Sequence, residues 1–257
     1  MMPLLVALSV LLALLALLWL VSLRLSDASI IDPFWGPAFG VLALAVAVQA
    51  PRVTSQGAVL IAAVIVWGAR LGGYLLWRNH GKGEDPRYVA MRARNGAAWW
   101  WRSLFVVFVL QGVIAWGVAL PITLALAAAQ EAPWLALAPG LAVFTIGFAC
   151  EAIADAQLAR FKRDPANRGA VMDRGLWRYS RHPNYFGNAC LMWGLYLIAV
   201  PLGAPWWTAL GPLLMTWLLL RVSGVTLLER SLRETKPAYA DYVRRTSAFV
   251  PWPPRAA

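Results

Sequence analysis

The sequence predicts an all-α polytopic membrane protein of about seven transmembrane helices, on three grounds. First, its 257 residues are 60% hydrophobic and only 14% charged, and the apolar residues fall in long stretches nearly free of charge. A soluble domain of this length needs far more polar surface, whereas uncharged runs of about 20 residues match the apolar thickness of a bilayer. Second, tryptophan is abundant, 15 in all. Several flank the apolar runs (Trp99 to Trp101, Trp206, Trp207), where indoles favour the interface. Third, the 23 lysines and arginines cluster in short segments between the runs.

In order along the chain, spans are expected near residues 2–24, 34–50, 56–77, 103–129, 133–156, 185–203 and 205–225. The first lacks an early basic segment and a small-residue cleavage site, so it reads as a retained helix rather than a signal peptide. Asp32 stands at the start of the second span, Arg70 lies within the third, and the fourth carries Pro121. Glu151 and Asp155 lie near the end of the fifth, and Pro201 and Pro205 split the last pair. The two cysteines, Cys150 and Cys190, sit inside apolar segments and read as small core residues, not a disulfide framework. With no internal repeat or linker, residues 1–257 read as a single membrane domain.

The cations set the topology. Arg24 follows the first span; Arg78, Lys82, Arg87, Arg92, Arg94 and Arg102 follow the third; seven more, Arg160 to Arg181, follow the fifth. The rest lie at or beyond the end of the seventh, and the opposite side keeps only Arg52. Loops after odd-numbered spans are therefore expected in the cytoplasm, with the N-terminus outside and the C-terminus inside. The net charge of +11 reflects this topology and suits anionic ligands, not nucleic acid.

Ionisable groups at membrane depth cost about 2.5–3.5 kcal/mol each, so they usually face a protein interior. Asp32, Arg70, Glu151 and Asp155 are such groups. Glu151 and Asp155, four residues apart, share one helix face. They are either paired with loop arginines or acceptors for the sugar hydroxyls or amides of a cofactor. A metal centre fits poorly, because the only histidines are His80 and His182, and no His-x-x-His or Glu-x-x-His spacing exists. No glycine-rich phosphate loop precedes a helix either. Any nucleotide must be held by side chains from helices and loops. The densest stretch is DRGLWRYSRHPNYFG, Asp173 to Gly187. Arg178, Arg181 and His182 can bind phosphate or carboxylate, Asn184 both donates and accepts, and Tyr179 and Tyr185 can stack or hydrogen-bond. Pro183 suits the start of the sixth span.

The runs EAIADAQLARFK (Glu151–Lys162) and DPANRGAVMDRGLWRYSRHPNYFG (Asp164–Gly187) resemble the C-terminal region of the steroid 5α-reductase family. A bacterial branch of membrane proteins within it also shows patterns like SIIDPFWG (Ser29–Gly36), RNHGKGEDPRY (Arg78–Tyr88), LQG (Leu110–Gly112) and YVRRTSAFVPWPP (Tyr242–Pro254). The resemblance implies a steroid 5α-reductase-like bundle in a bacterial inner membrane, an NADPH cofactor and a lipophilic small-molecule substrate drawn from the membrane lipids. By motif it implies cofactor contacts from Asp155, Lys162, Arg168, Tyr179, Asn184 and Tyr185; the side-chain chemistry above adds Glu151, Arg181 and His182 as candidate cofactor contacts. Arg70, Tyr74 and Lys82 look similar to the family's contacts on the third helix and following loop. The substrate half departs from the pattern. Asp32-Pro33-Phe34-Trp35 replaces a Gln-Glu pair, Trp67 stands roughly where a catalytic tyrosine is expected, and Asn188 replaces an acid.

Arg-His-Pro-x-Tyr is also shared with isoprenylcysteine carboxyl methyltransferases, which implies S-adenosylmethionine as the alternative ligand. Cations from four segments suit a pyrophosphate with a 2′-phosphate better. A transporter or scaffold would account for the buried charges but not for the Arg-Tyr-x-Arg-His-Pro-Asn-Tyr run. Reduction of an activated double bond further needs a donor at the substrate carbonyl. Asp32 is one candidate, since a buried carboxyl can stay protonated, and its alternative role is an N-cap with Pro33 at the first helical position. Tyr74 is the other.

Overall fold

A computed structural model of the chain describes residues 2–222, 236 and 238–255. Helices are the only regular elements among the described residues, apart from one isolated bridge between Ser180 and Ser247. They run α1 Met2–Leu25, α2 Ile31–Ala47, α3 Ser55–Asn79, α4 Pro86–Asn95, α5 Trp99–Ser103, α6 Leu110–Val118, α7 Leu120–Ala128, α8 Trp134–Arg163, α9 Pro183–Ala199, α10 Leu210–Trp217 and α11 Tyr239–Arg245. A π-helical stretch, Leu104–Val109, joins α5 to α6.

Five helical segments among the described residues are long and apolar enough to cross a membrane: Met2–Leu25, Ala28–Ala47, Ser55–Asn79, Pro86–Val118 and Trp134–Arg163. They mark an integral membrane protein. The expected sixth span is the 17-residue α9. The expected seventh begins as α10 and a second π-helical stretch, Leu218–Val222, and its end lies outside the described residues.

Two boundaries differ from expectation for physical reasons. The fourth span does not run unbroken to residue 129. It stops at Val118 and restarts as α7, with Pro121 in the first turn. Proline has no N–H to give an interior helical bond and fits only where that bond is not needed. The fifth helix continues two turns past the expected end to Arg163; its polar end buries Glu151, Ala154 and Asp155 along one face, and in the first extra turn Gln157 Oε1 accepts from Leu176 N at 3.0 Å.

The expected single domain is laid out as two compact units, Met1–Trp134 with Ala199–Gly211, and Leu135–Ile198 with Pro212–Ala257. In the first, α2 and α3 pack backbone to backbone. A Cβ built on Gly68 would lie 2.6 Å from Gly36 O, and one on Gly72 would lie 2.7 Å from Pro33 O. Small residues allow this closeness, which gives membrane helices their packing contacts. Phe39 and Trp67 fill the adjoining core, both fully buried and edge-to-face at 5.1 Å. At one end of this unit Arg52 pairs with Glu131 at 3.1 Å, joining the connections that follow α2 and α7. At the other end Glu84 accepts from Ala28 N (2.7 Å) and Arg92 Nη2 (2.8 Å), while Arg92 also donates to Ser26 O (2.9 Å). Those bonds tie the loop after α3 to the α1–α2 connection.

In the second unit α8 and α9 meet along a glycine seam. A Cβ on Gly147 would stand 2.4 Å from Leu191 N, one on Gly187 2.5 Å from Glu151 N, and one on Gly194 2.4 Å from Phe144 N. The C-terminal tail straps the segment before α9. Arg181 N donates to Ser247 O (2.8 Å), Trp252 N to Tyr179 O (2.9 Å), Ser180 Oγ to Phe249 O (2.7 Å) and Tyr242 OH to Trp177 O.

Candidate functional site

Chemistry-bearing side chains gather at one place in each unit. In the first, Asp85 caps α4 by accepting from Arg87 N at 2.9 Å, and Pro86 occupies the first turn, a strong local start signal. This start projects Arg87 and Tyr88 toward the beginning of α2. Arg87 Nη2 donates to Asp32 Oδ2 at 2.7 Å and the Tyr88 hydroxyl to Asp32 Oδ1 at 2.7 Å. Gln111 Nε2 in turn donates to the Tyr88 hydroxyl at 3.2 Å. Tyr88 is buried, and the Asp32 side chain keeps only 16% of its surface exposed. Beside this chain lies a small apolar recess bounded by Leu15, Phe34, Trp35, Ala38 and Ala115, with Gln111 as its polar member. At the rim, partial burial pushes the Asp85 carboxyl up, but hydrogen bonds and charge from Arg87 outweigh it and hold the group below the ordinary carboxylate range.

This corrects one expectation. Asp32 does not cap α2. The helix begins at Ile31, its cap position is Ile30 without a side-chain bond, and Pro33 is the third helical residue. Asp27 does the local capping instead, accepting from Ser29 N at 2.8 Å. That frees the Asp32 carboxylate for two strong donors, one charged.

Tyr74, the other expected donor, stands between guanidinium groups: Arg70 lies 5.4 Å and Arg78 5.9 Å from its ring centroid. These contacts follow from helical spacing at i−4 and i+4. Lys82 is exposed between Gly81 and Gly83, whose φ values of +73° and +72° make the turn that ends α3. Trp67 is a core residue beside Phe39, not a hydroxyl donor.

In the second unit the glycine seam brings buried carboxylates against amides. Asn188 Nδ2 donates to Glu151 Oε1 at 3.0 Å, and Asn184 Nδ2 to Asp155 Oδ1 at 3.1 Å. All but a few per cent of Glu151, Asp155 and Asn188 is buried. The acid expected at position 188 is thus an amide facing a carboxylate, which avoids placing two buried negative charges together. Asn188 Oδ1 is buried with no hydrogen-bond partner among the described residues. His182 stacks on Tyr185 at 5.5 Å with rings nearly parallel.

The expected phosphate-binding cations divide in use. Arg181 Nη1 donates to Val243 O and Thr246 O, both at 3.0 Å, so this guanidinium holds the tail. Arg168 is exposed, and its side chain makes no hydrogen bond or ion pair among the described residues; the same holds for Arg174 and Arg178. Lys162 stands exposed in the last turn of α8, and Tyr179 is 43% exposed.

Tyr88 and Gln111 were missed by sequence reasoning, although both lie in patterns quoted above. The available signal was the Asp85-Pro86 helix start, together with the need of a buried Asp32 for donors.

No curated protein matches the chain, and neither does any solved structure. One family model does, over residues 18–246, and its description is "Protein of unknown function (DUF1295)". The match covers nearly the whole chain and includes both side-chain clusters: the chain belongs to the DUF1295 family.

Proposed function

We propose that the protein is a membrane-embedded, NADPH-dependent reductase of the steroid 5α-reductase type, acting on the activated C=C bond of a lipophilic enone. The observation that carries this reading is the Tyr88 hydroxyl held between Asp32 and Gln111 beside an apolar recess. NADPH, when bound, supplies the hydride. As an enone is reduced at its β-carbon, negative charge gathers on its carbonyl oxygen, and a donor there lowers the barrier. In this reading Tyr88 turns about its Cζ–O bond from Asp32 to that oxygen, and the second Nε2 hydrogen of Gln111 adds a further donor. Asp32 becomes a positioning carboxylate whose charge Arg87 balances. The recess has room only for the tip of a sterol- or isoprenoid-like substrate, whose apolar body would lie outside it in the bilayer.

The residues of the second unit fit the cofactor in kind. Buried Asp155 and Glu151 accept from amides and hydroxyls, and uncommitted Arg168, Arg174 and Arg178 suit phosphates. By motif resemblance, Arg70, Tyr74 and Lys82 of the first unit also suit a nucleotide in kind. Melting the purified protein with NADPH, NADH and S-adenosylmethionine in parallel tests the reading. At 100 times its dissociation constant a ligand adds about 2.7 kcal/mol. NADPH is expected to stabilise more than NADH, and Arg168→Ala to weaken the NADPH effect about tenfold or more. Stabilisation by S-adenosylmethionine alone would transfer the assignment to a membrane methyltransferase.

The proposal includes seven spans in a bacterial inner membrane, N-terminus outside and C-terminus in the cytoplasm. It is supported by the Arg52–Glu131 pair, which gathers two even-side connections at one end of the first unit. Reporter fusions at Arg52 and Glu131 are expected to read non-cytoplasmic and those at Lys82 and Arg168 cytoplasmic. A cytoplasmic signal at Glu131 contradicts this topology.

A further inference from the structure

The C-terminal tail of the second unit closes on itself. Arg255 N donates to Arg245 O at 3.0 Å, so residues 245–255 form a compact loop with both ends together. The ends are charged: Arg245 pairs with Asp173 at 3.7 Å, the neighbouring Arg244 pairs with Asp241, and Arg255 is exposed. The tip is Ala-Phe-Val-Pro-Trp, residues 248–252, and carries no charge. Arg181 N donates to Ser247 O at 2.8 Å, Ser180 Oγ to Phe249 O at 2.7 Å, and Trp252 N to Tyr179 O at 2.9 Å. These bonds fix the tip, so its depth follows from the elements it is fixed to.

Trp177 Nε1 donates to Ala154 O at 3.0 Å. Ala154 lies about 20 residues beyond the start of α8, the length that an apolar bilayer core takes. The segment that bonds the tail therefore stands at the edge of that core. The tip reaches further in. Phe249 packs edge-to-face on Phe186 with ring centroids 5.8 Å apart, and Phe186 precedes Gly187, whose added Cβ would stand 2.5 Å from Glu151 N. Glu151 is nearly one turn on the apolar side of Ala154. Beside Phe249, Val250 is 56% exposed and Trp252 69%, and Tyr179, bonded to Trp252, is 43% exposed. An uncharged tip at this depth, with arginines at the far ends of the loop, matches the boundary between headgroups and acyl chains, where indole rings are favoured. A soluble protein partner would have to displace headgroups to reach the same side chains.

We propose that the loop 245–255 is a membrane wedge, with Val250 and Trp252 inserted at the headgroup–acyl boundary of the adjoining leaflet and the arginines at its ends left in water. Through Tyr179, Ser180 and Arg181 the wedge holds the segment before α9 against the bilayer. This role is independent of the reductase reading. The test uses the full chain in vesicles of phosphatidylcholine and phosphatidylglycerol, irradiated with a diazirine dissolved in the acyl phase. Trypsin then releases the loop as Thr246–Arg255 and the connection after α8 as Asp164–Arg168, and mass spectrometry measures the label on each. Burying one large apolar side chain favours the inserted position by about tenfold or more. Thr246–Arg255 is therefore expected to carry roughly tenfold more label than Asp164–Arg168, which begins about 14 Å of helix beyond Ala154. Val250→Asp combined with Trp252→Ser should bring the loop to the level of that control, with an unchanged melting profile in detergent showing intact folding. Val250→Asp alone, at an exposed side chain, serves if the double variant does not fold. An unlabelled Thr246–Arg255 beside a labelled peptide ending at Arg24 overturns the proposal. So does undiminished label in either folded variant.

Discussion

Tyr88→Phe is expected to lower turnover of a lipophilic enone by about 10²–10⁴-fold, the range a positioned acid commonly supplies, while NADPH stabilises the variant as it does the parent. The substitution removes one oxygen from a buried chain in which Gln111 donates to Tyr88 and Tyr88 to Asp32. The ring stays, so packing changes little. Asp32→Asn keeps an acceptor for Tyr88 but removes the counter-charge of Arg87, and its loss is expected to be about tenfold, as for one charged hydrogen bond. Single-turnover rates separate the two roles. If Asp32 itself delivers the proton, Asp32→Asn falls as far as Tyr88→Phe. If neither variant slows turnover, the hydroxyl–carboxylate chain has no part in the reaction. Loss of NADPH stabilisation in either would break the assignment of these residues to the substrate side.

Gly147→Val is expected to be among the most destabilising single substitutions, at more than about 3 kcal/mol. The first added carbon already stands 2.4 Å from Leu191 N and 2.6 Å from Gly187 O. Both are backbone atoms of α9, and no flexible side chain can yield. Forcing α8 and α9 apart also pulls Glu151 from Asn188 and Asp155 from Asn184, leaving buried carboxylates short of donors. Gly73→Ala is the control, since nothing lies within 4 Å of its added carbon. Denaturant titration in detergent should place Gly73→Ala beside the parent and Gly147→Val far below it. A parent-like Gly147→Val would show that the seam is not under steric constraint.

Most of the membrane helices were legible because apolar length and cation placement are additive properties of a sequence. The segments that differed were those where a tertiary contact decided the outcome. The two extra turns of α8 are polar in composition, and Gln157 in the first of them accepts from the backbone of Leu176, a partner 19 residues away. Arg181 resembled a phosphate ligand because cations in such a motif usually are. Its Nη1 also donates to the carbonyls of Val243 and Thr246, and every residue carries a carbonyl, so nothing in the sequence marks those two. Tyr88 is 56 residues from Asp32, a pairing that no local pattern encodes. Glu151 and Asp155 were legible as interior groups through the cost of their charge, and Asn184 through its motif. The amide at 188 made sense only once Glu151 was seen opposite it.

The π-helical stretch from Leu104 to Val109 ends two residues before Gln111 and begins shortly after Trp99 to Trp101. A π-helical turn accommodates an additional residue without turning the regular helix on either side of it, whereas a residue inserted into an α-helix rotates all that follows by about 100°. The fourth span therefore carries a phase adjustment between its two tasks. Trp100 and Trp101 are exposed while Trp99 is buried beside Arg92, and Gln111 is set by the hydroxyl it reaches. The wider turn lets each keep its own azimuth, so that changes in how this helix meets the lipid need not turn the amide away from Tyr88.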